Sequence, residues 1–180
     1  MNTVILFGSP RKKGNTIQLA QSMMELLKKK GGHVRMLYLN DLNIRPCQGC
    51  YTCLTDGTCR INDDMRDIRK YILESDVIVY ATPIYWFSPS AQLKLVMDRC
   101  IAFMDGDNNS RVQGKKAVTL MTYADNNTDT SKAAVTVFEK TFGLLKLDYI
   151  GSIEAAGCTD GKNLAQEYQK DMKRLVDSLV

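Results

Sequence analysis

Short apolar runs alternate with longer amphipathic stretches along most of this chain. The apolar runs have the length of β-strands and occupy residues 4–7, 34–39, 77–81, 117–123 and 149–155. The run at 77–81 is apolar nearly throughout, which is typical of a central parallel strand that is covered on both faces. Between the runs, apolar residues recur at the spacing of an α-helix. The pattern therefore predicts an α/β fold with a doubly wound, five-stranded parallel sheet.

Helices and one irregular segment fill the rest of the chain. The predicted helices occupy residues 17–30, a segment capped by Asp63 or Asp64 that ends at Glu74, a segment capped by Ser88 or Ser90 that ends at Phe103, 131–145 and 163–179. Residues 43–62 follow neither period and form a Cys-rich loop insertion. A chain of 180 residues is long enough for one domain with a sizeable core and too short for two. We therefore expect a single domain over residues 1–180.

The loop at residues 8–16 has the features of a phosphate site. It joins the first strand to the first helix and is rich in Gly and hydroxyl residues. A helix N-terminus offers unpaired N–H groups and the positive end of the helix dipole. Ser9 and Thr16 add hydroxyl donors, and Arg11 adds positive charge. The spacing fits neither a P-loop nor a dinucleotide fingerprint, so a single terminal phosphate is the better match. The alternative is a solvated basic loop without a ligand.

Three consecutive aromatic residues, Tyr85, Trp86 and Phe87, follow the third predicted strand. Three consecutive side chains in a loop cannot all face the protein core. Aromatic side chains that stay exposed are more stable when a ligand or another part of the protein covers them. A flavin ring fits, because it stacks on aromatic side chains and accepts hydrogen bonds from backbone N–H groups such as those of residues 84–87. The alternative is that these side chains pack on a neighbouring helix or on a second subunit. In an open parallel sheet, the loops 8–16, 82–89 and 123–130 meet at one edge.

The Cys-rich insertion has the spacing of a metal site. Four of the six cysteines form a C-x₂-C-x₂-C-x₅-C pattern: Cys47, Cys50, Cys53 and Cys59. Four thiolates in one short loop suit a [4Fe–4S] cluster, which requires Cys₄ ligation. The same four thiolates suit a structural zinc ion, and they also suit free thiols beside an active site. Cys100 and Cys158 lack a partner at metal-binding spacing, so we expect core or incidental thiols there.

Composition excludes several classes of protein. With 24 Lys and Arg against 20 Asp and Glu, the net charge is +4 and predicts no nucleic-acid partner. No apolar run approaches the roughly 18 residues that span a bilayer, so no membrane contact is expected. The chain enters its first strand at once, which leaves no room for a signal peptide and suggests a cytoplasmic protein with reduced thiols. The one histidine, His33, is remote from every candidate loop, so we predict no catalytic side chain.

Two sets of motifs resemble a known family. The segments 8–11, 14–16, 83–85 and 91–94, with Asp98-Arg99, resemble the NADPH-dependent FMN reductase family of flavodoxin-like flavoproteins. The four-Cys loop with Asp63-Asp64-Met65 resembles the iron–sulfur flavoprotein branch of that family. The resemblance is clear over residues 1–105 and depends on element order beyond them.

This resemblance implies a strand order of 2-1-3-4-5, a homodimer or higher homo-oligomer, and FMN as cofactor. It implies that the FMN phosphate is held by Ser9, Arg11, Asn15 and Thr16. It also implies that the flavin ring is bordered by Pro83, Ile84, Tyr85, Trp86 and Phe87. We predict an FMN-dependent oxidoreductase that moves electrons from NAD(P)H or a reduced protein to a small acceptor such as a quinone or flavin, with a [4Fe–4S] cluster as a further carrier. The alternatives are a non-enzymatic electron carrier that accepts electrons from ferredoxin, and a flavin-free regulatory or metal-sensing protein.

Overall fold

A parallel sheet runs through the centre of the molecule. The computed structural model describes residues 1–159 and 162–179. The strands are β1 (Asn2–Phe7), β2 (His33–Tyr38), β3 (Val77–Tyr85), β4 (Ser88–Pro89), β5 (Lys116–Thr122) and β6 (Asp148–Ala155). Five of them lie side by side in the order β2-β1-β3-β5-β6, and all neighbours in this order are parallel. This order matches the predicted order of the five core strands, which is therefore confirmed.

Helices cover both faces of the sheet. They are α1 (Asn15–Lys29), α2 (Met65–Glu74), α3 (Ala91–Asp98), α4 (Lys132–Leu144), α5 (Leu164–Glu167) and α6 (Gln169–Asp177). Val4 and Leu6 of β1 pack with α2, α3 and α4 on one face, whereas Ile5 and Phe7 pack with α1, α5 and α6 on the other. Successive side chains of a strand point to opposite faces. Apolar residues are therefore needed at successive positions of β1, as the unbroken apolar run at residues 4–7 shows.

The structure corrects the prediction for residues 83–88, which we expected to form a loop. β3 continues to Tyr85, and β4 turns back on it in an antiparallel hairpin that pairs Ile84 with Pro89 and Tyr85 with Ser88. The extension is stabilised because Pro83 stays in register with Thr122 of β5. The hairpin therefore projects beyond the carboxyl end of the sheet, and its first residue is still paired with β5.

Two predicted helices are shorter than the sequence pattern indicated. The helix predicted to reach Phe103 ends at Asp98 and continues as a 3-10 turn over Cys100–Phe103. The closing helix is interrupted at Tyr168, between α5 and α6. Among residues 1–159 and 162–179, no helix is both long enough and apolar enough to cross a membrane.

Candidate functional site

The carboxyl ends of β1, β3 and β5 enclose a cavity of about 140 Å³, which we call the rim cavity. Its lining residues are Ser9, Arg11, Gly14, Asn15, Thr16, Pro83, Ile84, Tyr85, Thr122, Tyr123, Ala124 and Cys158. The structure thus brings the predicted phosphate loop and the predicted ring segment to one place. Of the residues predicted to contact FMN, only Trp86 and Phe87 lie outside this lining.

Gly8 joins the phosphate loop to the start of α3. Its N–H donates to the Ala81 carbonyl at 2.8 Å, and the Ser90 hydroxyl donates to the Gly8 carbonyl at 2.6 Å. A Cβ atom at this position would lie 2.8 Å from Leu93 Cβ and 2.9 Å from Ser90 Oγ. Ser90 also caps α3, as predicted, by accepting the Leu93 N–H at 3.4 Å. Glycine is therefore required here because α3 packs directly against the loop.

The N-terminus of α1 lines the rim cavity. α1 begins at Asn15, no side chain among the described residues caps its first N–H groups, and its first turn holds no acidic residue. Thr16 is buried, and its hydroxyl lies 2.7 Å from the Thr122 hydroxyl, which ties the helix start to β5. The Ser9 hydroxyl accepts the Arg11 N–H at 3.2 Å and orders the loop. Free N–H groups and the dipole of the helix favour an anion at this point.

The hairpin carries its aromatic residues out into solvent. Trp86 is 93% exposed, and Tyr85 and Phe87 are also exposed. Packing on a helix of the same chain, one predicted alternative, is therefore wrong. Trp86 and Phe87 have φ angles of +48° and +61°, as a two-residue type I′ turn requires. Bulky residues rarely adopt these angles, so the turn stores strain in order to present two rings.

Replacing the turn residues by the favoured type I′ pair tests this strain. The variant Trp86→Asn/Phe87→Gly is expected to gain about 1–2 kcal/mol in the free energy of unfolding, because Asn and Gly tolerate left-handed backbone. It is also expected to bind FMN more weakly, by the roughly 0.5–1.5 kcal/mol of a lost ring contact. Urea unfolding and FMN titration measure the two effects. Trp86→Tyr is the matched control. The critical result is that the double variant gains stability against unfolding and loses FMN affinity.

All four cysteines of the insertion line a second cavity of about 220 Å³, which we call the cysteine cavity. Cys53 is buried, and the other three are partly exposed. The Gly49 N–H donates to Cys47 Sγ at 3.5 Å, and Cys50 Sγ lies 3.4 Å from Thr52 Oγ1. In the part of the chain that the structure describes, no three His, Cys, Asp or Glu side chains are arranged to hold a metal ion.

The cysteine thiols differ in their acidity. Burial raises the pKa of Cys53, and the charges of the neighbouring Cys59, Cys50 and Cys47 raise it further. Hydrogen bonding to the Thr52 side chain and backbone lowers the pKa of Cys50. Metal ligation needs thiolates, so any metal in this cavity must displace the proton of Cys53 at a higher cost than that of Cys50.

Thr122 and Cys158 of the rim cavity were not found by sequence analysis. Thr122 lies at the end of β5, and its position at a strand end was the available signal. Tyr123 and Ala124 belong to the loop 123–130, which was expected to reach this edge. Cys158 was expected to be a core or incidental thiol, yet it also lines the rim cavity and donates to the Ala155 carbonyl at 3.1 Å. Nothing in its local sequence marks Cys158 as part of a site.

Two relatives of known sequence are similar to a large part of this chain. An iron-sulfur flavoprotein of Archaeoglobus fulgidus is 32% identical over 124 residues, which cover 69% of this chain and 55% of that protein. An iron-sulfur flavoprotein of Methanocaldococcus jannaschii is 37% identical over 99 residues, which cover 55% and 51% of the two chains. The chain therefore spans about half the length of these curated relatives.

A solved structure and a family model complete the comparison. The NAD(P)H:quinone oxidoreductase from Methanothermobacter marburgensis superposes with a TM-score of 0.80 at 19% identity, covering 99% of this chain and 96% of the other. This similarity confirms the flavodoxin-like fold. The model of the NADPH-dependent FMN reductases matches residues 1–155, which include the phosphate loop, the four-Cys loop and the aromatic hairpin. The chain belongs to the NADPH-dependent FMN reductase family.

Proposed function

We propose that this protein is an FMN-dependent oxidoreductase that takes electrons from NAD(P)H and passes them to a small acceptor such as a quinone or a flavin. The observation that carries the proposal is the rim cavity, where a free helix N-terminus and the base of an aromatic hairpin meet. Membership of the NADPH-dependent FMN reductase family supports both the cofactor and the donor. When bound, FMN would supply the redox chemistry: transfer of a hydride from the nicotinamide, and then of its two electrons and a proton to the acceptor.

The phosphate end of the site is built by α1 and the loop before it. The free N–H groups at Asn15 and Thr16 would donate to the phosphate, together with the Ser9 hydroxyl. The Arg11 side chain lines the same cavity and adds a positive charge. These donors are held in place before binding, because the Thr16 hydroxyl is fixed to Thr122. A preformed site of this kind loses little conformational entropy when the ligand binds.

The ring end of the site is built by the hairpin. Pro83, Ile84 and Tyr85 line the rim cavity, and backbone N–H groups of residues 84–87 would donate to the pyrimidine edge of a flavin. Tyr85 and Trp86 would shield one ring face from water. The opposite face would stay open for the nicotinamide and then for the acceptor. No side chain of the described residues is assigned as a general acid or base in this proposal.

We also propose that Cys47, Cys50, Cys53 and Cys59 ligate a [4Fe–4S] cluster, which would supply one-electron transfer beside the flavin. Four thiols lining one cavity are the donor set that this cluster requires. The same four thiols are also the donor set of a closed structural zinc site. The compact spacing of the four cysteines favours the cluster over zinc.

A second candidate function follows from the same cavity. The protein would then carry electrons without a substrate of its own, loaded by a reduced ferredoxin through the partly exposed cysteine cavity. Oxidation of NAD(P)H under air separates the two functions. Rapid turnover supports the oxidoreductase, and rapid reduction by ferredoxin without such turnover supports the carrier.

Anaerobic purification tests the cofactors directly. We expect a yellow-brown protein with bound FMN, iron and acid-labile sulfide. A colourless protein that does not take up added FMN contradicts the flavin proposal. Stoichiometric zinc, or metal-free thiols in anaerobic material, contradicts the cluster.

Substitution of one loop cysteine tests the ligand set. Cys50→Ser is expected to lose most of its iron and to keep its FMN, because a cluster with three thiolates is held weakly and the rim cavity is built by other residues. Cys100→Ala is the matched control, since Cys100 is buried in the core and lies outside the cysteine cavity. Iron and flavin analysis of both variants gives the result. Equal iron content in the Cys50→Ser and Cys100→Ala variants would show that Cys50 is not a cluster ligand.

The exposed hairpin also supports a homodimer. We propose that Trp86 and Phe87 pack against a second copy of the chain beside the flavin site. Covering these rings would remove apolar surface from water. Sedimentation of the wild type and of Trp86→Asn/Phe87→Gly tests this, with a shift of the double variant towards the monomer as the expected result.

A further inference from the structure

Asp63 and Arg99 form a buried ion pair. Each belongs to one of the sequence motifs described above, Asp63-Asp64-Met65 and Asp98-Arg99. Arg99 Nη1 lies 2.8 Å from Asp63 Oδ2, and Arg99 Nη2 lies 3.1 Å from Asp63 Oδ1. The two side chains are 2% and 0% exposed. Parallel hydrogen bonds between a guanidinium and a carboxylate fix the orientation of both groups. The pair therefore defines a rigid connection between the start of α2 and the end of α3.

This pair closes both ends of the cysteine loop. The Arg45 N–H donates to Asp63 Oδ2 at 2.9 Å, and Arg99 Nη1 donates to the Arg45 carbonyl, also at 2.9 Å. The Met65 N–H donates to Asp63 Oδ1 at 3.2 Å. Arg45 lies just before the first loop cysteine, and Asp63 lies just after the last. The Asp63 carboxylate and the Arg99 guanidinium thus hold together the two segments of the chain that enter and leave the loop.

The middle of the loop is anchored as well. The Gly57 N–H donates to the Cys53 carbonyl at 2.8 Å, and Arg111 Nη2 donates to the Thr55 carbonyl at 3.3 Å. Gly57 has a φ of +79°, and a Cβ atom there would lie 2.3 Å from Arg69 Nη2 and 2.9 Å from a backbone carbonyl oxygen. The loop is therefore ordered around its cysteines by contacts that involve no metal.

α3 connects this loop to the flavin site. Its first turn is attached to the phosphate loop through Ser90 and Gly8, and its C-terminal end carries Arg99. The helix has 8 residues, so it is about 12 Å long. Arg99 itself lines the cysteine cavity beside Cys59. α3 thus runs from a contact with the phosphate loop at its N-terminus to the cysteine cavity at its C-terminus.

We propose that Asp63 and Arg99 are positioning residues that hold the cysteine loop ready for its cluster and set its place relative to the flavin. The part that concerns the cluster rests on the proposed function. Stability alone does not require such a pair, since well-packed apolar residues of similar volume often replace a buried ion pair without loss. The contacts to both ends of the loop explain what the charged pair contributes beyond packing.

The test replaces both charges together, so that neither is left buried alone. In Asp63→Leu/Arg99→Met the core stays apolar and filled, and we expect FMN content to stay near that of the wild type. The thermal midpoint is expected to fall, because the Arg45 and Met65 N–H groups lose their acceptor, but by less than in Asp63→Asn, which leaves a charge buried alone. Amide hydrogen exchange over residues 45–63 of the FMN-loaded, metal-free protein is expected to rise by at least about tenfold, because the loop loses its closure. Iron and sulfide after anaerobic purification are expected to fall to a small fraction of the wild-type content.

The control removes an exposed ion pair far from the loop, Lys30 with Asp177 at 2.7 Å. Asp177→Asn is expected to change neither loop exchange nor iron. Unchanged exchange in the loop of the double variant overturns the proposal, as does wild-type iron content in that variant. If the wild-type protein itself holds no iron, the cluster proposal fails. Amide hydrogen exchange alone then tests whether Asp63 and Arg99 hold the cysteine loop. If the double variant does not bind FMN, Arg99→Lys takes its place, and faster exchange of the loop than in the wild type is again required.

Discussion

Asn15→Asp is expected to weaken FMN binding by about two to three orders of magnitude while the fold stays intact. The change is nearly isosteric and puts a carboxylate at the first position of α1, on the wall of the rim cavity. Two like charges about 4 Å apart near a protein surface repel by roughly 4 kcal/mol, which corresponds to a loss of about two to three orders of magnitude in affinity. The same carboxylate interacts favourably with the helix dipole, so the thermal midpoint of the apoprotein is expected to stay equal or to rise.

Riboflavin separates the phosphate effect from a general loss of flavin binding. It lacks the phosphate, so its weaker affinity is expected to be the same in the wild type and in Asn15→Asp. Gln21→Glu, on the exposed face of α1 outside the rim cavity, is the matched control for added charge. Fluorescence titrations with both flavins provide the measurement. An equal loss of FMN and riboflavin affinity places the phosphate somewhere other than the N-terminus of α1.

Asp63→Asn is expected to be the most destabilising single substitution among those considered. It leaves the Arg99 guanidinium buried without its counter-charge, and breaking a buried pair in this way costs about 3–5 kcal/mol. That is a large share of the roughly 5–15 kcal/mol that stabilises a typical domain. Urea unfolding followed by circular dichroism measures the difference. Asp177→Asn, which breaks an exposed and solvent-screened pair, is expected to change the free energy of unfolding far less. Equal effects of the two substitutions contradict the assignment of a buried, paired charge.

The pH dependence of the same difference gives an independent check. Burial acts to raise the pKa of Asp63, but the hydrogen bonds from Arg99 and Arg45 outweigh it, and the pKa lies below its ordinary value. A carboxylate with a depressed folded-state pKa stabilises the fold above its unfolded pKa of about 3.9 and loses that contribution as the pH falls through the folded pKa. The stability gap between the wild type and Asp63→Asn should therefore be constant from neutral pH to about 4 and narrow below it. A gap that narrows already near neutral pH shows that another group is responsible.

Local patterns along the chain were sufficient for most of the architecture. The alternation of apolar runs and helical periods predicted the α/β fold and its five core strands, since each signal lies within a few consecutive residues. Because strand ends of a parallel sheet meet at one edge, the sequence also indicated that residues 8–16 and 83–85 share a cavity. The spacing of the four loop cysteines indicated a metal site or a group of free thiols, and the structure places all four around one cavity.

Contacts between distant segments were decided only by the tertiary structure. Asp63 and Arg99 are 36 residues apart, and Thr16 and Thr122 are 106 apart, so neither pair has a local signature. Whether such residues meet depends on strand register and on how each helix packs, which are properties of the whole sheet. The need for glycine at position 8 likewise arises from α3. The sequence by itself therefore determined which chemistry is available at the sheet edge and in the cysteine loop, and packing determined how the two sites are joined.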